Sequence, residues 1–194
     1  MDNRARLRKQ CRFAREVLTP GQRRAASHAI CGRLHRSTFY WNARHIAFFW
    51  PMNAEVDLRE LLGAALRERK RCYLPVQRAG RRLWFARYRA GDRLLPNFYG
   101  IPEPRVRARR FLQAALLDLV CVPLAGFDRS GTRLGQGGGY YDRSFEFLRR
   151  GMRGKPRLVG VGFASQELAH IPRADWDVPL TAVVTECEEI RCDV

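Results

Sequence analysis

Residues 116–143, LLDLVCVPLAGFDRSGTRLGQGGGYYDR, decide the fold of this chain of 194 residues. The apolar run at 116–124 has the length and composition of a buried strand. Glycines then crowd residues 126–139, and the segment from Tyr140 to about Arg150 predicts a helix. A buried strand that passes through a glycine loop into a helix is typical of α/β proteins.

Three further segments carry helical patterns. Apolar residues recur at helical spacing within a basic segment at 3–17. A capping box between Thr19 and Gln22 introduces a second helix, which is expected over 20–36. A third helix is expected over 57–70, so helices and strands alternate along the chain.

Short apolar runs predict the remaining strands, at residues 46–50, 72–76, 83–88, 158–163 and 182–184. Three prolines indicate that residues 91–105 form an extended surface loop. We therefore predict a single domain over residues 1–194 with a three-layer α/β fold. Its sheet is expected to be open and mainly parallel, with helices on both faces.

The bulk composition narrows the function classes. No apolar run approaches the roughly 20 residues that cross a bilayer, so we expect a cytoplasmic protein without a membrane partner. The sequence does not give the oligomeric state, for which a monomer is the default expectation. The six cysteines show no C-x-x-C pair, which argues against a zinc site or a disulfide framework. The formal charge of +17 comes from arginines spread along the chain. This pattern favours a basic surface that attracts small anions over a nucleic-acid-binding arm.

Five glycines stand between residues 131 and 139. Between a strand and a helix, such a loop lets backbone N–H groups approach an anion, and phosphate is the expected ligand. The spacing fits neither a Walker A loop nor a dinucleotide fingerprint, in which Tyr140 would have to be glycine. Taken alone, the glycine cluster is equally compatible with a flexible turn.

Charged residues beside the loop favour the phosphate interpretation. Arg133 and Arg143 supply cations for phosphate oxygens. Asp142 supplies a carboxylate that can hold a hard divalent ion, although an acid would also suit the first turn of any helix. The combination suits phosphoryl transfer.

Residues 133–142, RLGQGGGYYD, resemble the signature loop of 5-formyltetrahydrofolate cyclo-ligases, also called 5,10-methenyltetrahydrofolate synthetases. Residues 48–57, FFWPMNAEVD, and 175–180, DWDVPL, resemble two further motifs of that family in the same order. The resemblance spans residues 4–184. Many family members carry a lysine where this chain has Gly138, so nucleotide affinity here must depend on other cations.

This resemblance implies an ATP- and Mg²⁺-dependent ligase. The formyl oxygen of 5-formyltetrahydrofolate, possibly polyglutamylated, would be phosphorylated. Attack by N10 would then close the ring, giving 5,10-methenyltetrahydrofolate, ADP and phosphate. Such a reaction needs positioning and charge neutralisation more than a covalent nucleophile.

The resemblance also assigns expected roles to individual residues. Arg133 and Asp142 would be catalytic, and Asp142 and Asp177 would hold Mg²⁺. ATP would contact Arg4, Arg8, Arg133, Leu134, Gly135, Gln136, Gly137, Gly138, Gly139, Tyr140 and Tyr141. The folate would contact Arg8, Trp50, Glu55, Gln136, Gly137, Gly138, Gly139 and Tyr140.

Other functions stay open at this point. A protein of this fold could hold folate or RNA without turnover, or a related ATP-dependent enzyme could act on another heterocycle. The carboxylates of Asp142 and Asp177 favour an enzyme, and no RNA-binding motif accompanies the basic charge. From the residues alone, Arg4 and Arg8 fit a solvated helix face and Trp50 fits an ordinary core position.

Overall fold

A computed structural model of the chain describes residues 3–105, 111–150 and 156–192. The α-helices are α1 (Asn3–Glu16), α2 (Pro20–Arg36), α3 (Thr38–Trp41), α4 (Arg59–Arg67) and α5 (Tyr140–Ser144). Short 3₁₀ helices cover Ala79–Arg81, Ala114–Leu116, Glu146–Arg150 and Ala164–Gln166. Within these residues, no helix has both the length and the apolar character that a bilayer crossing requires.

The first six strands in the chain are β1 (His45–Ala47), β2 (Arg71–Arg78), β3 (Arg82–Tyr88), β4 (Leu94–Pro96), β5 (Pro102–Pro104) and β6 (Phe111–Leu112). The others are β7 (Leu119–Pro123), β8 (Gly126–Phe127), β9 (Arg133–Leu134), β10 (Arg157–Val161), β11 (Ala182–Val184) and β12 (Glu189–Arg191). Eight of them form one sheet in the order β12-β11-β10-β7-β1-β2-β3-β6. The strands β11, β10, β7, β1 and β2 are parallel, and the antiparallel pairings lie toward the two edges. The predicted mainly parallel sheet is therefore confirmed.

Both faces of the sheet are buried, because alternate strand residues point to opposite sides. On one face, α2, α3 and α4 cover a core that includes Ile46, Leu74 and Val159. On the other face, α5 and irregular chain cover a core that includes Val120 and Phe145. The predicted three-layer α/β arrangement is confirmed, although the second face carries shorter helices.

The second helix begins where the sequence predicts. The Thr19 hydroxyl accepts a hydrogen bond from the Gln22 N–H at 3.2 Å, and the Gln22 side chain accepts one from the Thr19 N–H at 2.8 Å. This reciprocal cap satisfies two N–H groups that a helix start leaves without partners.

The helix predicted from Tyr140 to about Arg150 was too long. It ends at Ser144, and the chain continues as a 3₁₀ helix. The Ser144 hydroxyl donates to the Tyr140 carbonyl at 2.6 Å and accepts from the Leu83 N–H at 2.8 Å. These two bonds tie the end of α5 to β3.

Other element boundaries also differ from the prediction. Residues 91–105 are not a simple loop, because β4 and β5 pair as a hairpin whose turn is closed by the Asn97 side chain. The central strand begins at Leu119 rather than near 116. The preceding Asp118 is occupied as an acceptor for the N–H groups of Arg44 and His45. The helix expected over 57–70 covers Arg59–Arg67 only.

The connections that leave β1 and β7 run in opposite directions. From β1 the chain passes through α4 to β2, whereas from β7 it passes through α5 to β10. Since β1 and β7 are neighbours, a crevice opens at their carboxyl ends. In open α/β sheets, ligands bind at such a topological switch point.

The close contact between α1 and β8 explains why residue 126 is a glycine. A Cβ at this position would lie 2.7 Å from the Cys11 Sγ atom, closer than two such atoms can approach. We expect Gly126→Ala to lower the free energy of unfolding by about 1–3 kcal/mol, measured by urea denaturation. In a Cys11→Ala background most of that loss should disappear. An equal loss in both backgrounds would show that this contact is not the cause.

Candidate active site

The candidate site lies in the crevice between β1 and β7. The loop after β1 carries Glu55. The chain that leaves β7 forms the β8–β9 hairpin, and the glycine loop between β9 and α5 carries Gln136. The Gln136 side-chain amide donates to Glu55 Oε1 at 3.3 Å, and Glu55 Oε2 accepts from the Met52 N–H at 3.2 Å. The fold thus joins two segments that are 81 residues apart in sequence.

A buried carboxylate shapes the start of the second loop. Asp128 Oδ1 accepts from the N–H groups of Ser130 and Thr132, each at 3.1 Å, and from the Ser130 hydroxyl at 2.6 Å. Its Oδ2 accepts from the Ile171 N–H at 2.9 Å. These bonds close the β8–β9 turn. This structural role of Asp128 was not predicted from the sequence.

The glycine loop is open on one side at Gly135 and Gly137. Among the described residues, no heavy atom lies within 4 Å of the position a Cβ would take at Gly135 or Gly137. Gly137 and Gly139 have φ angles of 101° and 66°, which disfavour other residues. A ligand can therefore approach this backbone closely.

The position of the Tyr140 ring explains why residue 138 is a glycine. A Cβ there would lie 2.8 Å from Cδ2 of Tyr140, so glycine lets the tyrosine ring lie against the loop. The Gly138 carbonyl also accepts from Arg143 Nη1 at 2.9 Å. This arrangement places a cation beside Gly138.

Arginines from successive turns of α1 line the loop. Arg4 Nη2 approaches the Arg133 carbonyl at 3.4 Å, and Arg8 Nε donates to the Gly135 carbonyl at 3.0 Å. One turn further, Arg12 Nη2 donates to Gln136 Oε1 at 2.7 Å. The α1 helix is therefore held against the glycine loop by its polar side.

Arg15 completes this row. It is 4% exposed, and its Nη1 atom lies 3.9 Å from Glu55 Oε1. The sequence analysis did not select Arg12 or Arg15. The spacing of positions 4, 8, 12 and 15 was the available signal, because residues three or four apart lie on one side of a helix.

Burial shifts the pKa values of both Arg15 and Glu55. It raises the pKa of the Glu55 carboxyl above its usual range, an effect only partly offset by the Met52 N–H, Arg15 and Gln136. Burial likewise lowers the pKa of Arg15, and the charge of Glu55 opposes this shift. For Tyr141, burial and then the Glu55 charge raise the pKa of the phenol. Perturbed groups of this kind in a crevice are typical of functional sites.

Arg133 is buried and faces Asp142. Its Nη2 atom donates to Asp142 Oδ1 at 2.6 Å, and its Nη1 atom donates to the Val178 carbonyl. Asp142 Oδ1 also accepts from the Val178 N–H at 3.2 Å. The structure therefore places this arginine in an internal ion pair rather than at an open position over the loop.

Asp177 lies next to this group and pairs with Arg4. Its Oδ2 atom is 2.6 Å from Arg4 Nη1 and 2.9 Å from the Ala174 N–H. Asp142 Oδ2 makes no hydrogen bond with the described part of the chain, and the Asp142 side chain is 22% exposed. Across those residues, no group of three or more His, Cys, Asp or Glu side chains is placed to hold a metal ion.

Trp50 is half-buried at the edge of the core. Its ring lies edge-on to Tyr88, with centroids 6.4 Å apart, and the guanidinium of Arg59 lies 5.9 Å from its centroid. It follows β1 on the same loop as Glu55. Leu134 is buried in β9, and it fixes the start of the glycine loop, which follows it directly.

Comparison with known proteins identifies relatives over most of the chain. Residues 1–186 match the model of the 5-formyltetrahydrofolate cyclo-ligase family. A 5-formyltetrahydrofolate cyclo-ligase of Escherichia coli is 34% identical over 90% of this chain and 95% of its own length. The mouse protein of the same name is 27% identical over 93% of this chain and 92% of its own length.

A solved structure has the same fold. A 5,10-methenyltetrahydrofolate synthetase of Aquifex aeolicus superposes with a TM-score of 0.83 and 30% identity, covering 98% of this chain and 93% of that protein. A synthetase of Mycoplasma pneumoniae superposes with a TM-score of 0.74 over 96% of this chain. At 23% identity, this second likeness supports the fold alone.

The Arg133–Asp142 pair predicts an effect on stability. Asp142→Ala leaves a buried guanidinium without its carboxylate, so we expect the free energy of unfolding to fall by about 3–5 kcal/mol. Asp142→Asn should cost less, because an amide oxygen can still accept from Arg133 and Val178. Urea denaturation gives the comparison, with the exposed Asp175→Ala as a control of equal charge change. Equal stability of the two alanine variants would contradict the structural role.

Proposed function

The chain belongs to the 5-formyltetrahydrofolate cyclo-ligase family, and on that premise we propose that it drives ring closure with Mg²⁺-ATP by phosphorylating the formyl oxygen. Family membership makes it an enzyme that forms 5,10-methenyltetrahydrofolate from 5-formyltetrahydrofolate. The proposal is based on one observation. At the switch point between β1 and β7, the side chain of Glu55 contacts the glycine loop through Gln136, and this loop is open at Gly135 and Gly137.

Glu55 is proposed to bind the pterin end of the substrate. A pterin presents adjacent N–H donors, and an ionised carboxylate can accept two of them. Glu55 Oε1 accepts from the Gln136 amide at 3.3 Å, a long hydrogen bond that a ligand can replace. Trp50, on the same loop, would provide an apolar wall for the ring.

The glycine loop is proposed to bind the nucleotide. Its open backbone over Gly135 and Gly137 offers N–H groups to phosphate oxygens. Arg8, Arg12 and Arg143 surround the same loop and supply positive charge. Leu134, Gly138, Gly139, Tyr140 and Tyr141 would complete the contacts of this segment.

Asp142 and Asp177 are proposed to hold Mg²⁺ together with phosphate oxygens. Mg²⁺ usually takes one or two carboxylates and completes its shell with phosphates and water, which the partly accessible Asp142 side chain allows. Asp177 could join if Arg4 moved from its carboxylate to a phosphate. When bound, the ion would neutralise charge on the phosphates.

The protein's part in the reaction is positioning. The formyl oxygen would attack the γ-phosphorus while ADP leaves, and N10 would then attack the activated carbon. Loss of phosphate and of the N10 proton yields the methenyl bridge. Holding both substrates in adjacent parts of one crevice supplies the orientation that these steps need.

The first test is a direct assay of the purified protein. With 5-formyltetrahydrofolate we expect the near-ultraviolet absorbance of the methenyl product to appear only when Mg²⁺-ATP is added. ADP and phosphate should form in equal amounts with it. If the protein binds folate but forms no product, the proposed activity is refuted. If product forms without ATP, the proposed phosphorylation is refuted.

Glu55 is tested by changing its charge alone. We expect Glu55→Gln to raise the KM for 5-formyltetrahydrofolate roughly tenfold or more and to leave the KM for ATP near the wild-type value. Because burial raises the pKa of Glu55, wild-type folate binding should weaken as the pH falls through that raised value. The variant should lack this weakening.

The exposed Glu60→Gln serves as the control, since it removes the same charge from α4 outside the crevice. An unchanged folate KM in Glu55→Gln, or the same pH profile in variant and wild type, would refute the role of this carboxylate.

A further inference from the structure

Arg15 is a buried cation with hydrogen-bond donors to spare. It is 4% exposed, and its Nε and Nη1 atoms donate no hydrogen bond to any residue that the structure describes. A buried donor without an acceptor destabilises the folded protein, because it has lost its hydrogen bonds to water. Burial also lowers the pKa of this guanidinium. Protein interiors rarely retain such a group without a use for it.

The donors of Arg15 lie beside the carboxylate proposed to bind the pterin. Nη1 is 3.9 Å from Glu55 Oε1, close enough for charge attraction and too far for a hydrogen bond. If Arg15 served only to neutralise Glu55, a direct hydrogen bond would be expected. The gap leaves the guanidinium free to donate to an acceptor next to the carboxylate.

The pterin edge has that acceptor. Its 2-amino-4-oxo ring presents two N–H donors followed by a carbonyl oxygen at position 4. A carboxylate flanked by a guanidinium is complementary to this order of donors and acceptor. Position 4 also adjoins the ring carbon next to N5, so a contact there would orient the formyl group.

We propose that Arg15 determines substrate specificity by donating a hydrogen bond to the 4-oxo group of the pterin while Glu55 accepts from the neighbouring N–H groups. This inference rests on the proposed function, because it adds a contact to the same substrate. In a ring with an amino group at position 4, the N–H donors of that group would face the N–H donors of Arg15. Arg15 would then stay buried without an acceptor.

The test compares 5-formyltetrahydrofolate with its 4-amino analogue. Dissociation constants for both are measured by calorimetry, without ATP, for the wild type, Arg15→Met and Arg15→Lys. Arg15→Met should lower the ratio of the two constants, 4-amino over 4-oxo, roughly tenfold or more. Arg15→Lys keeps a charged donor, so its ratio should lie between the other two.

The matched control is Arg6→Met, which removes the same charge from an exposed position of α1. Its ratio should equal that of the wild type. Should Arg15→Met fail to fold, Arg15→Leu replaces it, since leucine is neutral, donates no hydrogen bond and has a similar helix propensity. A ratio unchanged from the wild type in the folded neutral variant overturns the proposal.

The outcomes separate this inference from the proposed function. A wild type that forms methenyl product, together with an unchanged ratio in the variants, refutes only the role of Arg15. A wild type that binds neither compound refutes the folate site itself and with it this inference.

Discussion

The buried guanidinium of Arg133 is the constraint on which the candidate site depends. Removing an arginine from water is costly unless charge and hydrogen bonds compensate it. Here Asp142 and the Val178 carbonyl do so, and Asp142 also accepts from the Val178 N–H. The ion pair thereby links β9, α5 and the segment before β11. The glycine loop lies between two of these linked elements, so its ends cannot move independently.

The α1 helix contributes to the site through its charged side. Arg4, Arg8, Arg12 and Arg15 all reach the loop segments, and Cys11, on the same side of the helix, packs against Gly126. A row of cations beside an open glycine backbone raises the local concentration of anionic ligands. Part of the charge of +17 is therefore organised at one site rather than spread evenly over the surface.

Glu55 and Arg15 are charged groups in surroundings that disfavour their charge. Burial raises the pKa of one and lowers the pKa of the other, so both charged forms are disfavoured by their surroundings. Their separation of 3.9 Å regains only part of that energy. A ligand whose edge satisfies both groups would recover the rest, which is how binding sites commonly use local instability.

The sequence by itself determined the class of fold and the family that the glycine loop resembles. Short apolar runs alternating with helical patterns predict a parallel sheet because strand burial and helix amphipathicity are local properties. The glycine loop and the motifs around Glu55 and Asp177 carried the family resemblance. Only the tertiary structure decided that Arg133 is buried against Asp142, that α5 ends at Ser144, and that Arg12 and Arg15 reach the crevice. These outcomes depend on which distant segments meet, and no local pattern specifies the partner of a buried charge.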